Sequence, residues 1–136
     1  MIKKQPRFLN WKYPEIKEGI PTKFNWIVQN LEGLKLERNT DIGAYSYINA
    51  KFGVHIEENV QIGSHCSIYS ISTIDNTSGR VHLERNCRIG SHSVILPGVT
   101  VSQNSIIGAH SLINCDIPPN VVAFGIPAKI HRNLNE

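Results

Sequence analysis

Aliphatic residues return every six positions along most of this chain: Leu36, Ile42 and Ile48, then Ile56, Ile62 and Ile68, then Leu83, Ile89, Ile95, Val101, Ile107 and Ile113. Four positions after each stand Thr40, Ser46, Phe52, Val60, Cys66, Ser72, Cys87, Ser93, Val99, Ser105, Ser111 and Ile117, all of modest size apart from Phe52. A six-residue period matches neither an amphipathic helix, which repeats every 3.6 residues, nor a continuous half-buried strand, which repeats every two. It predicts short strands separated by corners. Successive hexads are not equivalent, because Asn39, Asn59, Asn86 and Asn104 recur at one place in every third hexad, as do Gly43, Gly63, Gly90 and Gly108. The repeating unit is therefore about eighteen residues, one turn of a three-sided coil.

Four coils follow, at 36–53, 56–73, 83–100 and 101–118. Stacked at about 4.8 Å with parallel hydrogen bonding, they would place the aliphatic column inside a prism, an all-β parallel β-helix. The Asn and Gly columns are expected at corners, where both residues accept positive φ. Two interruptions break the register: Val54 and His55 form a short insert, and "IDNTSGRVH" at 74–82 leaves the coil between its second and third turns. Loops that depart from a rigid solenoid are favoured places for function. Residues 1–35, punctuated by prolines and carrying Trp11 and Trp26, read as an irregular or partly helical cap, and 119–136 as a C-terminal segment ending in a short basic tail. The whole is expected to be one domain, since 136 residues bury one good core rather than two.

A formal charge of +3 without clustered basic residues gives no reason to expect nucleic acid or a membrane surface as partner. Cys66, Cys87 and Cys115 are an odd number, with no signal-peptide core or long apolar segment, which predicts a reducing cytoplasm. None lies in a CxxC, and the three are expected to be small packing residues.

The stretches "IGSHSVILPGVTV" and "SIIGAHSLINCDIPPNVVAFGIPAK", with "LPGVT", "DIPPN" and "GIPAK" at these spacings, resemble the hexapeptide-repeat acyltransferases over about residues 36–132. The resemblance is to the small sugar acetyltransferases of the galactoside and maltose type and of surface-polysaccharide synthesis. It implies a left-handed parallel β-helix and acetyl transfer from acetyl-CoA to a hydroxyl or amine, in a groove between two subunits of a homotrimer. It further implies a sugar or nucleotide-sugar acceptor. Carried over by position, Ser91, Ala109 and Asn114 would contact the pantetheine arm, and Lys129 and Arg132 the phosphates. Related enzymes often have "TKD" where this chain has "NCD", so a lysine near the cofactor is absent.

The phrase "VHIEENVQIGSH", starting at Val54, returns as "VHLERNCRIGSH", starting at Val81. His65, His92 and His110 thereby form a column at one corner with Tyr45 ahead of them, while His55 and His82 match one another just before two coils. In galactoside-type enzymes the general base is a histidine that would fall near Thr73 to Asp75, and no histidine stands there. Three replacements are open: His65, read as the corner nearest the excursion; His92, beside Ser91; and Asp75 in the excursion. A histidine of near-neutral pKa can take a proton from an attacking hydroxyl. An amine acceptor needs less help, which favours an amino sugar. His55, His82 and His110 are expected to be polar residues exposed on coil corners. A non-catalytic scaffold is a competing reading. So is a zinc carbonic anhydrase of the same fold; its paired ligands lie five residues apart, whereas His55 to His65 and His82 to His92 span ten.

Overall fold

The computed structural model describes residues 6–135; the outermost parts of the expected cap and tail lie outside the described residues. Three sheets form the sides of a prism. The first face stacks Leu34–Leu36, Val54–Ile56, Val81–Leu83 and Thr100–Val101. The second stacks Asp41–Ile42, Gln61–Ile62, Arg88–Ile89, Ile106–Ile107 and Val121–Gly125, and the third Ile27–Gln29, Tyr47–Asn49, Ser67–Tyr69, Val94–Ile95 and Leu112–Ile113. Neighbours within each face run parallel and pair like with like, Ile56 beside Leu83 and Ile62 beside Ile89. Ala128–Asn133 then folds back antiparallel on Val121–Gly125 and closes the second face.

The hexad periodicity is the core. Eleven of the twelve aliphatic positions are buried, and Leu36, on the first complete coil, is partly buried against them. The small second column is buried too, except Phe52 and Ser72. At the corner joining the third face to the first, Ala50 and Ser70 turn inward instead. The Ser70 hydroxyl satisfies that turn, donating to the Asn49 carbonyl at 2.7 Å and accepting from the Phe52 N–H at 3.0 Å. Other buried serines also bridge coils: Ser46 Oγ donates to the Gly63 carbonyl at 3.0 Å and accepts from the Cys66 N–H at 3.1 Å. Cys66 and Cys87 pack in this column, but Cys115 is exposed, contrary to the packing role expected of it.

The corners correct one sequence inference. The Asn column does adopt positive φ, from 56° at Asn39 to 66° at Asn104, and its amides form a ladder, Asn86 donating to Asn104 at 2.8 Å and Asn104 to Asn120 at 2.9 Å. The Gly column does not. A Cβ on Gly63 would lie 2.6 Å from the Ser91 nitrogen, and one on Gly90 2.5 Å from the Ala109 nitrogen, so glycine is required there by the closeness of the next coil. The positive φ at the second corner falls two residues later, on Tyr45 (65°), His65 (57°), His92 (60°) and His110 (58°).

The prism also starts ahead of the repeat: Ile27–Gln29 already pairs with Tyr47–Asn49, and Trp26 is buried beneath it. Helical structure in the described part of the N-terminal segment is confined to two 3-10 turns, Pro6–Phe8 and Leu31–Gly33. Trp11 ties the segment down by donating its indole N–H to the Thr40 carbonyl at 2.7 Å. Among the described residues no helix is long and apolar enough to cross a membrane.

Gly63→Ala should force two coils apart and lower stability by about 1–3 kcal/mol. Gly98→Ala, at φ 82° with no atom within 4 Å of the added Cβ, should cost only backbone strain of about 1 kcal/mol. Urea denaturation of the two variants tests this order.

Candidate active site

The second corner carries an exposed ring column. Left-handed backbone turns each of its residues outward, and histidine tolerates that conformation better than most residues. The rings then stack at the rise of the coil: Tyr45 on His65 at 5.2 Å, His65 on His92 at 4.6 Å and 5°, His92 on His110 at 4.8 Å and 10°. Ser91 and Ala109 precede His92 and His110 on this edge, and the His110 N–H donates to the Ser91 carbonyl at 2.9 Å. Asn114 is exposed just past Leu112–Ile113. The closing hairpin lies over the same end: Phe124 packs on Gly108, Gly125 N–H donates to Ser111 Oγ at 3.1 Å, and exposed Lys129 pairs with Phe124. Arg132, also exposed, pairs with Val122, and His131 leans on the Phe124 ring at 4.7 Å. Three of the five expected cofactor contacts, Ser91, Ala109 and Lys129, thus mark one edge and its C-terminal end, whereas Asn114 lies at the far end of the third face and Arg132 further along the hairpin.

The excursion is a small hairpin, Ile71–Ser72 against Thr77–Ser78, with Asp75 exposed at its tip. Hydrogen bonds from Ser72 and then Thr77 hold the Asp75 carboxyl below the usual range, so it is an anion of weak basicity. The hairpin leaves from the end of the third face, where the chain turns toward the first. His65 stands at the other end of that face and is therefore not the histidine nearest the excursion.

His55 and His82 are nearest. Rather than projecting from corners, they sit on strands of the first face in a ladder Lys35, His55, His82, Thr100, and His55 is only 9% exposed. Each faces a carboxylate from the preceding coil. His55 Nε2 lies 2.6 Å from Glu37 Oε2, while Arg80, at the base of the excursion, donates to His55 Nδ1 at 3.0 Å. Because arginine can only donate, Nδ1 is the acceptor and the imidazole proton sits on Nε2, toward Glu37. His82 Nε2 bonds Glu57 Oε2, and Glu57 Oε1 accepts the Arg85 N–H at 3.0 Å. Burial pushes the Glu57 carboxyl up, but the His82 and Arg85 hydrogen bonds and the nearby histidine charges outweigh it and hold the group below its ordinary value. The bonded partners are 18 and 25 residues apart and on different coils, so neither hexad alone signals them.

His55, Glu57 and His82 offer ligand atoms within 4.8 Å of one another. The two imidazoles are stacked at 4.7 Å and 6°, so their lone pairs run side by side, and the Arg80 guanidinium occupies one of them. That is the geometry of hydrogen-bonded relays, and it does not converge on a tetrahedral ion.

Comparison with known proteins follows the same lines. The family description "Bacterial transferase hexapeptide (six repeats)" matches residues 80–115, and "Hexapeptide repeat of succinyl-transferase" matches 33–70; together they span more than half of the chain. The chain belongs to the hexapeptide-repeat acyltransferase family. The galactoside O-acetyltransferase of Escherichia coli K12 is 56% identical over 43 residues, 32% of this chain. That match spans only 21% of the relative's own length. Among solved structures, a maltose O-acetyltransferase from Clostridium difficile 630 aligns with a TM-score of 0.75 and 26% identity, covering 82% of this chain and 65% of the other. A hexapeptide-repeat acetyltransferase from Vibrio cholerae, complexed with acetyl-CoA, aligns with a TM-score of 0.77 and 25% identity, covering 82% and 66%. The prism is accordingly the left-handed parallel β-helix of this hexapeptide-repeat family.

The ionised state of Glu57 should be visible in stability. Its folded pKa lies below the unfolded value of about 4.3, so its contribution is present above that pH and is lost as pH falls through the folded pKa. Glu57→Gln should therefore be less stable than wild type at neutral pH and converge with it in acid. Urea melts across the acid range check this.

Proposed function

We propose that this hexapeptide-repeat protein transfers an acetyl group from acetyl-CoA to an amino or hydroxyl group of a sugar. The acceptor is taken to be nucleotide-linked and destined for cell-surface polysaccharide, and the enzyme to work in the cytoplasm as a homotrimer. The observation that carries the reading is the continuous exposed edge running from Ser91 through Ala109 to Lys129 of the closing hairpin, in a prism similar to the acetyl-CoA-bound Vibrio cholerae protein.

On this reading the extended arm of the donor lies along the edge beside Ser91 and Ala109, with Asn114 at the far end of the adjoining third face. His65 and His92 form an imidazole wall next to it. Lys129 and Arg132 meet the phosphates by charge-assisted hydrogen bonds. The straight stack suits a linear donor, because every coil presents the same backbone at the same interval. The absent loop histidine leaves an amino sugar as the favoured acceptor, since a neutral amine attacks a thioester without prior deprotonation. On the same reading Asp75, exposed at the tip of the excursion and of weak basicity, contacts the acceptor rather than taking a proton from it.

Calorimetric titration with acetyl-CoA is expected to show saturable binding near one per chain. Replacing both Lys129 and Arg132 by alanine should weaken it at least about tenfold, as loss of two charge-assisted phosphate contacts implies. Thiol release in the presence of amino- and hydroxyl-sugars, free and nucleotide-linked, then ranks acceptors. A folded protein that binds no acetyl-CoA would overturn the reading in favour of a non-catalytic scaffold.

A further inference from the structure

Two histidine columns run along this molecule, and only one has carboxylates. Along the second corner, His65, His92 and His110 stack on one another, and among the described residues no carboxylate forms an ion pair with any of them. On the first face the two stacked rings differ in what remains free. His55 has both nitrogens engaged, Nδ1 by Arg80 and Nε2 by Glu37. His82 uses Nε2 for Glu57, and its Nδ1 has no hydrogen-bond partner among the described residues. Its side chain is 26% exposed, so the ring is not sealed from solvent. Glu57 is itself fixed at both oxygens, by His82 and by the Arg85 N–H. A carboxylate that orients one imidazole nitrogen and leaves the other bare is the arrangement that makes histidine an effective proton acceptor, because it sets the tautomer and stabilises the cation that forms.

We infer that His82 Nδ1 is the general base of the acetyl transfer and that Glu57 is its positioning residue. The inference rests on the transferase reading above. In the step, the acceptor hydroxyl or amine forms a bond to the thioester carbonyl carbon while His82 Nδ1 takes its proton. The C–S bond then breaks, and His82 returns the proton to the departing CoA thiolate. His55, bonded by Arg80 and Glu37, stacks against the ring, and Arg80 links the base of the excursion to this pair. The first face lies across the prism from the edge carrying Ser91 and Ala109. A donor on that edge is therefore served by His82 of a second copy of this chain, and each site is completed between two copies.

Three measurements on the intact assembly test this. First, His82→Gln should lower kcat about a hundredfold with the best acceptor of the panel, leaving the KM for acetyl-CoA unchanged. Glu57→Gln should lower it less and move the acidic limb of the kcat–pH profile to lower pH, because the imidazolium loses its counter-charge. Glu57, Glu37, Arg80, His55 and Thr100 all neighbour His82, so only a shifted limb, and not a smaller rate alone, identifies Glu57 as orienting it. Second, nitrogen-15 NMR should show His82 as the Nε2–H tautomer in wild type and a mixture in Glu57→Gln. Third, His82→Gln and Ala109→Tyr chains, each strongly impaired alone, should regain activity when co-assembled. Wild-type turnover in His82→Gln, an unmoved pH limb in Glu57→Gln, or no recovery on mixing would each overturn the inference. Failure of the unmodified protein to bind acetyl-CoA is a different result and removes the transferase reading itself.

Discussion

Parallel backbone hydrogen bonding holds successive coils about 4.8 Å apart, and that interval governs what each position along the chain can be. A residue is repeated from coil to coil because its neighbour above and below meets the same space. Inside the prism this selects aliphatic side chains that lie flat on one another. At the second corner it selects glycine, since a methyl group at Gly63 or Gly90 would strike the next backbone. Outside, it stacks whatever the corner presents, which is how asparagine amides become a ladder and imidazoles become a column.

Much of this was legible in the order of residues. The aliphatic period located the core, and the eighteen-residue unit located the three faces. The reading failed where geometry depends on direction rather than periodicity. Glycine was assigned the positive φ that Tyr45, His65, His92 and His110 adopt, because both explanations for a conserved spacing within the chain look alike until the next coil is in place. Phe52 and Ser72 interrupt the buried second column, because the corner after the third face closes early on Ala50 and Ser70. The N-terminal boundary was placed too late because Ile27–Gln29 joins the third face without a full hexad before it.

The chemistry was harder to see than the fold for a related reason. A cross-coil pair such as Glu57 and His82 is 25 residues apart in sequence and involves two strands separated by the excursion. Nothing in either hexad alone distinguishes a solvated histidine from one held by a carboxylate. The duplicated phrase drew notice to His65 and His92, whose spacing is regular. What separates the two columns is their surroundings: one runs along an exposed edge, the other along a flatter face where side chains from adjacent coils lie close enough to hydrogen-bond.

The final hairpin also changes what the second face offers to a further strand. Every strand of a parallel stack offers its successor an unpaired edge, and nothing in the repeat itself says where to stop. By doubling back, Ala128–Asn133 pairs with the outer edge of Val121–Gly125 in the opposite direction, and its own outward positions are exposed and include Lys129, His131 and Arg132. The reversal interrupts the parallel template on that face, so end-to-end fibre formation loses one of its natural docking edges.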